Sequence, residues 1–247
     1  MELHFLGTTG YHPNRKRDTA CLMLPELGII LDAGTGIFRA RDLIATRELH
    51  IFLTHTHLDH IVGLTFLLDV LHQKNVEKTT VYVEQHKRAA IETHLFNELV
   101  FPVGPPFEIQ DMGIGVTNVP GKGTLNTFQL DHPGGSLGFR FDWNQGSLAY
   151  VTDTTASESA DYISQIHDVD LLVHECYFPD GFEEHAQLTG HSCLTPVAQV
   201  AAASRAKRTA IVHTSPLDED TSSLDLLSMK HIYPHLFIPD DGEVVEF

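Results

Sequence analysis

The chain is short of positive charge, of cysteine and of long apolar runs, and each shortage excludes something. Sixteen Lys and Arg stand against 33 Asp and Glu in 247 residues, a formal net charge of −17. Such a field repels the phosphate backbone of extended RNA or DNA, so long nucleic acid is a disfavoured partner. The small basic clusters Arg15-Lys16-Arg17 and Arg205 to Arg208 read as solvated surface. The cysteines are only Cys21, Cys176 and Cys193, with no CxxC pairing, which fits a reducing compartment better than a disulfide framework. The longest apolar segment, Ile61 to Leu71, is too short to span a bilayer and carries Asp69. The start Met1-Glu2-Leu3-His4 lacks a basic, apolar leader, so a cytoplasmic protein is expected.

What is present suits an enzyme-sized core. An apolar fraction of 42% and a charged fraction of 20% are ordinary for a globular chain, and the length fits one α/β domain over residues 1–247. Strands are expected at 2–6, 19–24, 28–31, 51–54, 79–83, 126–130, 137–142, 147–152, 170–173 and 209–212. Residues 59–72, apolar on nearly every side, predict a buried helix, and 86–99 a second. Thr195 as N-cap and Pro196 in the first turn predict a helix to about Ala206.

Four of these apolar runs are followed at once by a residue able to bind a metal. They are Ile51 to Thr54 before His55, Leu148 to Thr152 before Asp153, Leu171 to Val173 before His174, and Ala210 to Val212 before His213. In α/β folds ligands gather beyond the carboxyl ends of strands, where side chains leave a rigid sheet for a cleft shaped by loops. One shared site is therefore expected. The segment His55-Thr56-His57-Leu58-Asp59-His60 packs four ligand types into six residues, enough for two ions. Imidazoles mixed with a carboxylate favour Zn²⁺, Mn²⁺ or Fe²⁺ over Ca²⁺ or Mg²⁺.

The HxHxDH pattern at His55, His57, Asp59 and His60 resembles the signature of the metallo-β-lactamase superfamily. The likeness runs along the chain through Gly7, Leu31-Asp32-Ala33-Gly34, His132-Pro133-Gly134-Gly135, Tyr150-Val151-Thr152-Asp153 and Val212-His213-Thr214-Ser215-Pro216. It implies an α/β (α+β) fold, a four-layer αββα sandwich, and a dinuclear site. In that site His55, His57 and His132 would hold one metal, Asp59, His60 and His213 the other, and Asp153 would bridge. Zinc comes first, with manganese or iron as alternatives. Read without the family, His132 is also explained as a turn residue before Pro133, Asp153 as a helix cap and His213 as a core histidine. Asp32 reads equally as a turn residue and as a support for a ligand loop. Apart from His174 and His191, the remaining histidines have no spacing that recruits them.

Two cations about 3.5–4 Å apart can share a water and lower its pKa, which implies hydrolysis by a metal-bridging hydroxide that Asp59 could also orient. The segments His174-Glu175-Cys176 and Gly190-His191-Ser192 look most like the ribonuclease Z and small phosphodiesterase branch, where they read HEAT and GHST. Cys176 replaces that alanine and Cys193 that threonine. The likeness implies that Glu175 orients His191 and that His191 gives a proton to the departing alkoxide. A structural Glu175–His191 pair is the alternative. Ribonuclease Z carries a protruding transfer-RNA arm between the ligands matched by His132 and Asp153, and residues 133–152 leave no room for one. A small or cyclic phosphodiester is therefore the expected substrate. The alternatives are ribonuclease Z-like transfer-RNA 3′ processing, opening of a lactone, thioester or β-lactam, and a non-catalytic metal-binding module. The diiron members of the superfamily carry glutamate at the second motif histidine, and His57 argues against that branch. A homodimer rests on analogy with the branch alone.

Overall fold

Alternating and continuous apolar runs become strands that bury one or both faces. The computed structural model describes residues 1–247 and divides into two compact units, Met1–Gly113 with Asp240–Glu246, and Ile114–Pro239 with Phe247.

The first unit is built on a seven-stranded mixed sheet. Its strands are β1 (Glu2–Gly7), β2 (Cys21–Leu24), β3 (Ile29–Leu31), β4 (Glu48–Phe52), β5 (Lys78–Val83), β6 (Glu108–Asp111) and, from the end of the chain, β14 (Val244–Glu246). The order is β14-β1-β2-β3-β4-β5-β6. The pairs from β14 to β3 are antiparallel and those from β3 to β6 parallel. β3 is buried throughout, as a central strand covered on both faces should be. Ile30, Ile51 and Val81 from the central strands join Ile37, Leu64 and Leu67 from the helical segments in one apolar cluster.

The expected helix at 59–72 is broken. It divides into a turn of α-helix at Leu58–Ile61, a 3₁₀ segment at Val62–Phe66 and a second short α-turn at Leu67–Val70. Gly63 lies against backbone there, and a Cβ on it would meet the Gly34 carbonyl oxygen at 2.1 Å. The helix at 86–99 is also shorter than expected. A π-helical segment at Ala90–Leu95 closes with Phe96 N bonded to Ile91 O at 3.0 Å.

The second unit carries another seven-stranded mixed sheet. Its strands are β7 (Gly115–Val119), β8 (Gly123–Leu130), β9 (Ser136–Trp143), β10 (Gly146–Val151), β11 (Leu171–Glu175), β12 (Arg208–Val212) and β13 (Leu236–Phe237). The order is β13-β12-β11-β10-β9-β8-β7. β10, β11, β12 and β13 are mutually parallel, and β7 to β10 antiparallel. The tight β9–β10 hairpin uses up the stretch between His132 and Asp153 and leaves no inserted arm, as expected.

The helix Leu194–Ser204 buries Leu194, Val197, Ala198 and Ala201, the i, i+3, i+4, i+7 stripe that lays one face on a sheet. Its start differs from expectation. Cys193 occupies the N-cap position and makes no side-chain capping bond, while Thr195 lies inside the first turn. Asp180 caps the helix from a neighbouring loop, its Oδ1 accepting from Thr195 N at 2.8 Å and its Oδ2 from Thr195 Oγ1 at 2.7 Å. A remote carboxylate thus does what a local hydroxyl was expected to do. None of the helices is long and apolar enough to cross a membrane.

Candidate metal centre

In the first unit, β3 and β4 are parallel neighbours, and both run on into polar residues at their carboxyl ends. Asp32 follows β3 with φ of 56°, a left-handed conformation that turns its side chain back under the next loop. It is fully buried, its Oδ1 accepting from Thr54 N at 2.8 Å and its Oδ2 facing His60 Nδ1 at 2.9 Å. His55 sits with its ring centroid 4.5 Å from that of His57 and 4.2 Å from that of His60. Asp59 Oδ2 is 3.6 Å from His60 Nε2 and accepts from Tyr11 N at 2.7 Å. Asp59 therefore does not cap the short helix that contains it, and the four motif residues form one cluster.

The hydrogen-bond network assigns the tautomers here. A carboxylate can only accept, so His60 Nδ1 carries the hydrogen that meets Asp32. Thr54 Oγ1 spends its one hydrogen on Asp32 and must accept from His55 Nδ1 at 3.1 Å. Both rings are left with an unprotonated Nε2, the lone-pair donor that a transition ion binds.

In the second unit the parallel strands β10, β11 and β12 bring Asp153, Glu175 and His213 to one sheet edge. Asp153 and His213 again have positive φ, 55° and 51°. Their side chains approach to 3.3 Å between Asp153 Oδ1 and His213 Nε2, and Asp153 Oδ2 lies 3.7 Å from His132 Nε2. His132 Nδ1 donates to Gly190 O at 2.9 Å, which again leaves Nε2 with its lone pair. Burial lowers the His132 pKa, opposed by the neighbouring Asp153, so its ring favours the neutral form that ligates. Gly190 itself has φ of 74°, and a Cβ there would strike Pro133 Cδ at 2.3 Å. That close approach holds the His132 turn against the segment carrying His191.

Glu175 is fully buried and joins three groups. Its Oε1 accepts from Thr154 N at 2.8 Å and from His191 Nδ1 at 3.0 Å, and its Oε2 accepts from Ser192 N at 3.2 Å. Ligand atoms of Asp153, His191 and His213 all lie within 4.8 Å of one another, a group able to hold a cation. His191 stacks on His213 at 5.2 Å and on Tyr177 at 5.0 Å. Tyr177 and Thr154 carry no motif signal in the sequence, and only the folded geometry reveals their part.

His174, which ends an apolar run just as His213 does, is not in this cluster. Alternation along β11 sends it to the face opposite Glu175. There its Nε2 meets Tyr162 Oη at 2.9 Å and its Nδ1 the Glu175 carbonyl at 2.7 Å. It is a satisfied core histidine. The thiols are equally inert, since burial raises Cys21 and Cys176 well above the ordinary thiol range and Cys193 to about 11.

The donor chemistry of each cluster fits a divalent transition ion: several imidazoles present Nε2 lone pairs and carboxylates supply negative charge. Two mixed sheets, flanking helices and His/Asp clusters beyond parallel strands define the class of metallo-β-lactamase-fold, metal-dependent hydrolases. The family profile described as a beta-lactamase superfamily domain matches residues 28–214, and the chain belongs to that superfamily.

It is similar to ribonuclease Z of Metallosphaera sedula, with 27% identity covering 98% of this chain and 97% of the relative. That alignment runs over 287 positions against a chain of 247 residues, so the relative carries segments with no counterpart here. Human tRNase Z, short form, superposes with a TM-score of 0.77 at 20% identity, covering 100% of this chain and 99% of that one. The metallo-beta-lactamase fold protein YhfI from Bacillus subtilis gives the same TM-score at 16% identity and the same coverage. These likenesses place the fold with the expected α/β metallo-β-lactamase sandwich. The names ribonuclease Z and tRNase Z stand against a blanket exclusion of nucleic-acid substrates in this branch.

Proposed function

We propose that the chain is a dinuclear metal-dependent phosphodiesterase acting on a small or cyclic phosphodiester. In this reading the two units work as one catalytic domain over residues 1–247. His55, His57 and His132 hold one ion, Asp59, His60 and His213 the other, and Asp153 bridges. Zinc is the preferred metal, because imidazole dominates the donor set. Such ions, when bound, supply a water acidified towards neutrality and Lewis acidity at phosphoryl oxygens.

The observation that carries the phosphodiester reading is the Glu175–His191 pair. Glu175 Oε1 accepts the hydrogen of His191 Nδ1 and so fixes the orientation of the ring. In this reading His191 Nε2 carries a proton to a departing alkoxide, and the stack with Tyr177 restrains the ring. A carbonyl substrate with a stable leaving group needs no such donor.

Ribonuclease Z-like processing of transfer RNA is the second reading, and the similarity to ribonuclease Z of Metallosphaera sedula favours it. The short β9–β10 hairpin and the net charge of −17 favour the small substrate instead. Three free, buried cysteines fit a reducing cytoplasm. The test is a side-by-side assay of Zn²⁺- and Mn²⁺-loaded protein on a chromogenic phosphodiester, a cyclic nucleotide, a lactone and a precursor transfer RNA. Turnover of the first two is expected. Activity on the lactone alone overturns the proposal, and cleavage of the precursor RNA alone installs the second reading.

A further inference from the structure

A cavity of about 760 Å³ opens in the second unit beside His132, within the size range of small-molecule sites. The loop from Thr154 to Tyr162 forms one wall, and Gln129 to His132 at the end of β8 form another. No lysine or arginine lines it, which is unexpected for a pocket meant to hold a second phosphate.

Its lining joins the hydroxyls and amide of Thr154, Thr155, Ser157, Ser159 and Gln187, which can donate or accept, to several groups that can only accept. Gln129 Nε2 donates to the carbonyls of Leu130 and Ser136, at 3.2 and 3.0 Å, which leaves the amide oxygen as its accepting end. Asp131 and Asp161 add carboxylates. Thr154, only 1% exposed, lines the cavity with an Oγ1 that has no hydrogen-bond partner within the protein. A buried hydroxyl in that state costs free energy until something bonds to it.

We infer that this cavity receives an uncharged, hydroxyl-rich organic group of nucleoside size, the ribose side of a substrate, and rejects groups bearing a further phosphate. Sugar hydroxyls would donate to Gln129, Asp131 and Asp161 and satisfy Thr154 Oγ1. A second phosphate would meet two carboxylates and no counter-charge. The inference rests on the phosphodiesterase reading for its place in catalysis, but the pocket can be tested without turnover.

The experiment is calorimetric binding of adenosine and of adenosine 5′-monophosphate to the whole, metal-free protein, so that no ion captures the phosphate. Adenosine is expected to bind more tightly than its monophosphate by about fivefold or more. Ser159→Trp, at an exposed position that can accept the bulk, should weaken adenosine by about tenfold. Asp131→Asn with Asp161→Asn should narrow the gap between the two ligands, since the weaker amide acceptors cost adenosine affinity while the loss of two negative charges favours the monophosphate. Circular dichroism confirms the fold of each variant. Adenosine that fails to bind, binds no better than the monophosphate, or ignores Ser159→Trp overturns the inference. Adenosine binding without hydrolysis of any phosphodiester would retain the pocket and remove the phosphodiesterase reading. Hydrolysis with binding indifferent to these substitutions would do the reverse.

Discussion

Glu175 Oε1 lies 3.0 Å from His191 Nδ1, and the same oxygen accepts from Thr154 N, the residue that follows Asp153. One carboxylate thus fixes the ring of a candidate proton donor and the loop of a candidate metal ligand. Glu175→Ala would strand the buried amides of Thr154 and Ser192. A loss of about 1–3 kcal/mol for each stranded donor is expected, read by urea denaturation. Unchanged stability would show that the network relaxes without cost and that Glu175 holds nothing in place.

His191→Ala separates its two roles. As a proton carrier, its loss should slow diesters with poor alkoxide leaving groups about 10²–10⁴-fold and spare those with good ones, while metal content stays intact. Equal losses for both classes remove the proton-donor role. Loss of an ion from the variant would assign His191 as a ligand, which its position near Asp153 and His213 permits.

Asp180→Ala tests the remote cap. Thr195 N and Oγ1 would lose their acceptor at the first turn of Leu194–Ser204, and a destabilisation of about 0.5–2 kcal/mol is expected. Thr195→Val should cost less, because it keeps the backbone bond to Asp180. The reverse order, by thermal or urea denaturation, would return the cap to the threonine.

Much of the candidate site was legible because the sequence spacing of its imidazoles and carboxylates survives folding unchanged. His55, His57, Asp59 and His60 are neighbours in sequence and so in space, and the apolar runs before Asp153 and His213 did become parallel strands. The illegible parts depend on partners distant in sequence. Nothing near Thr195 announces Asp180, and the break at Gly63 follows from a backbone approach to Gly34. His174 and Glu175 differ by one position along β11, so strand pattern alone could not say which faced the cluster. Tyr177 matters only because chain geometry lays it on His191.

His174 provides a pH test away from the ligands. Burial lowers its pKa from the ordinary value near 6.5, against the raising influence of its bond to the Glu175 carbonyl. The folded state therefore resists protonation that the unfolded chain accepts. Its stabilising contribution is complete above about pH 6.5 and is lost as pH falls below that value towards the folded pKa. His174→Asn should be less stable at pH 8 yet show a shallower fall in Tm between about pH 6.5 and 5 than the wild type. Parallel curves would mean that this ring does not set the acid limb.

Asp32 offers the last test, because it acts on metal affinity without being a proposed ligand. It is fully buried and holds the Nδ1 hydrogen of His60 directly and that of His55 through Thr54 Oγ1. Asp32→Asn puts an amide that can also donate where only acceptors stood, so either ring can adopt the tautomer with its hydrogen on Nε2. Each such population removes a lone pair from the metal-facing nitrogen, and apparent Zn²⁺ affinity should fall about 10–100-fold. Competition with a chromophoric chelator measures this, and circular dichroism checks that the variant is folded. A folded Asp32→Asn protein with wild-type affinity would show that the tautomers of His55 and His60 are set by the ion itself and not by the carboxylate beneath them.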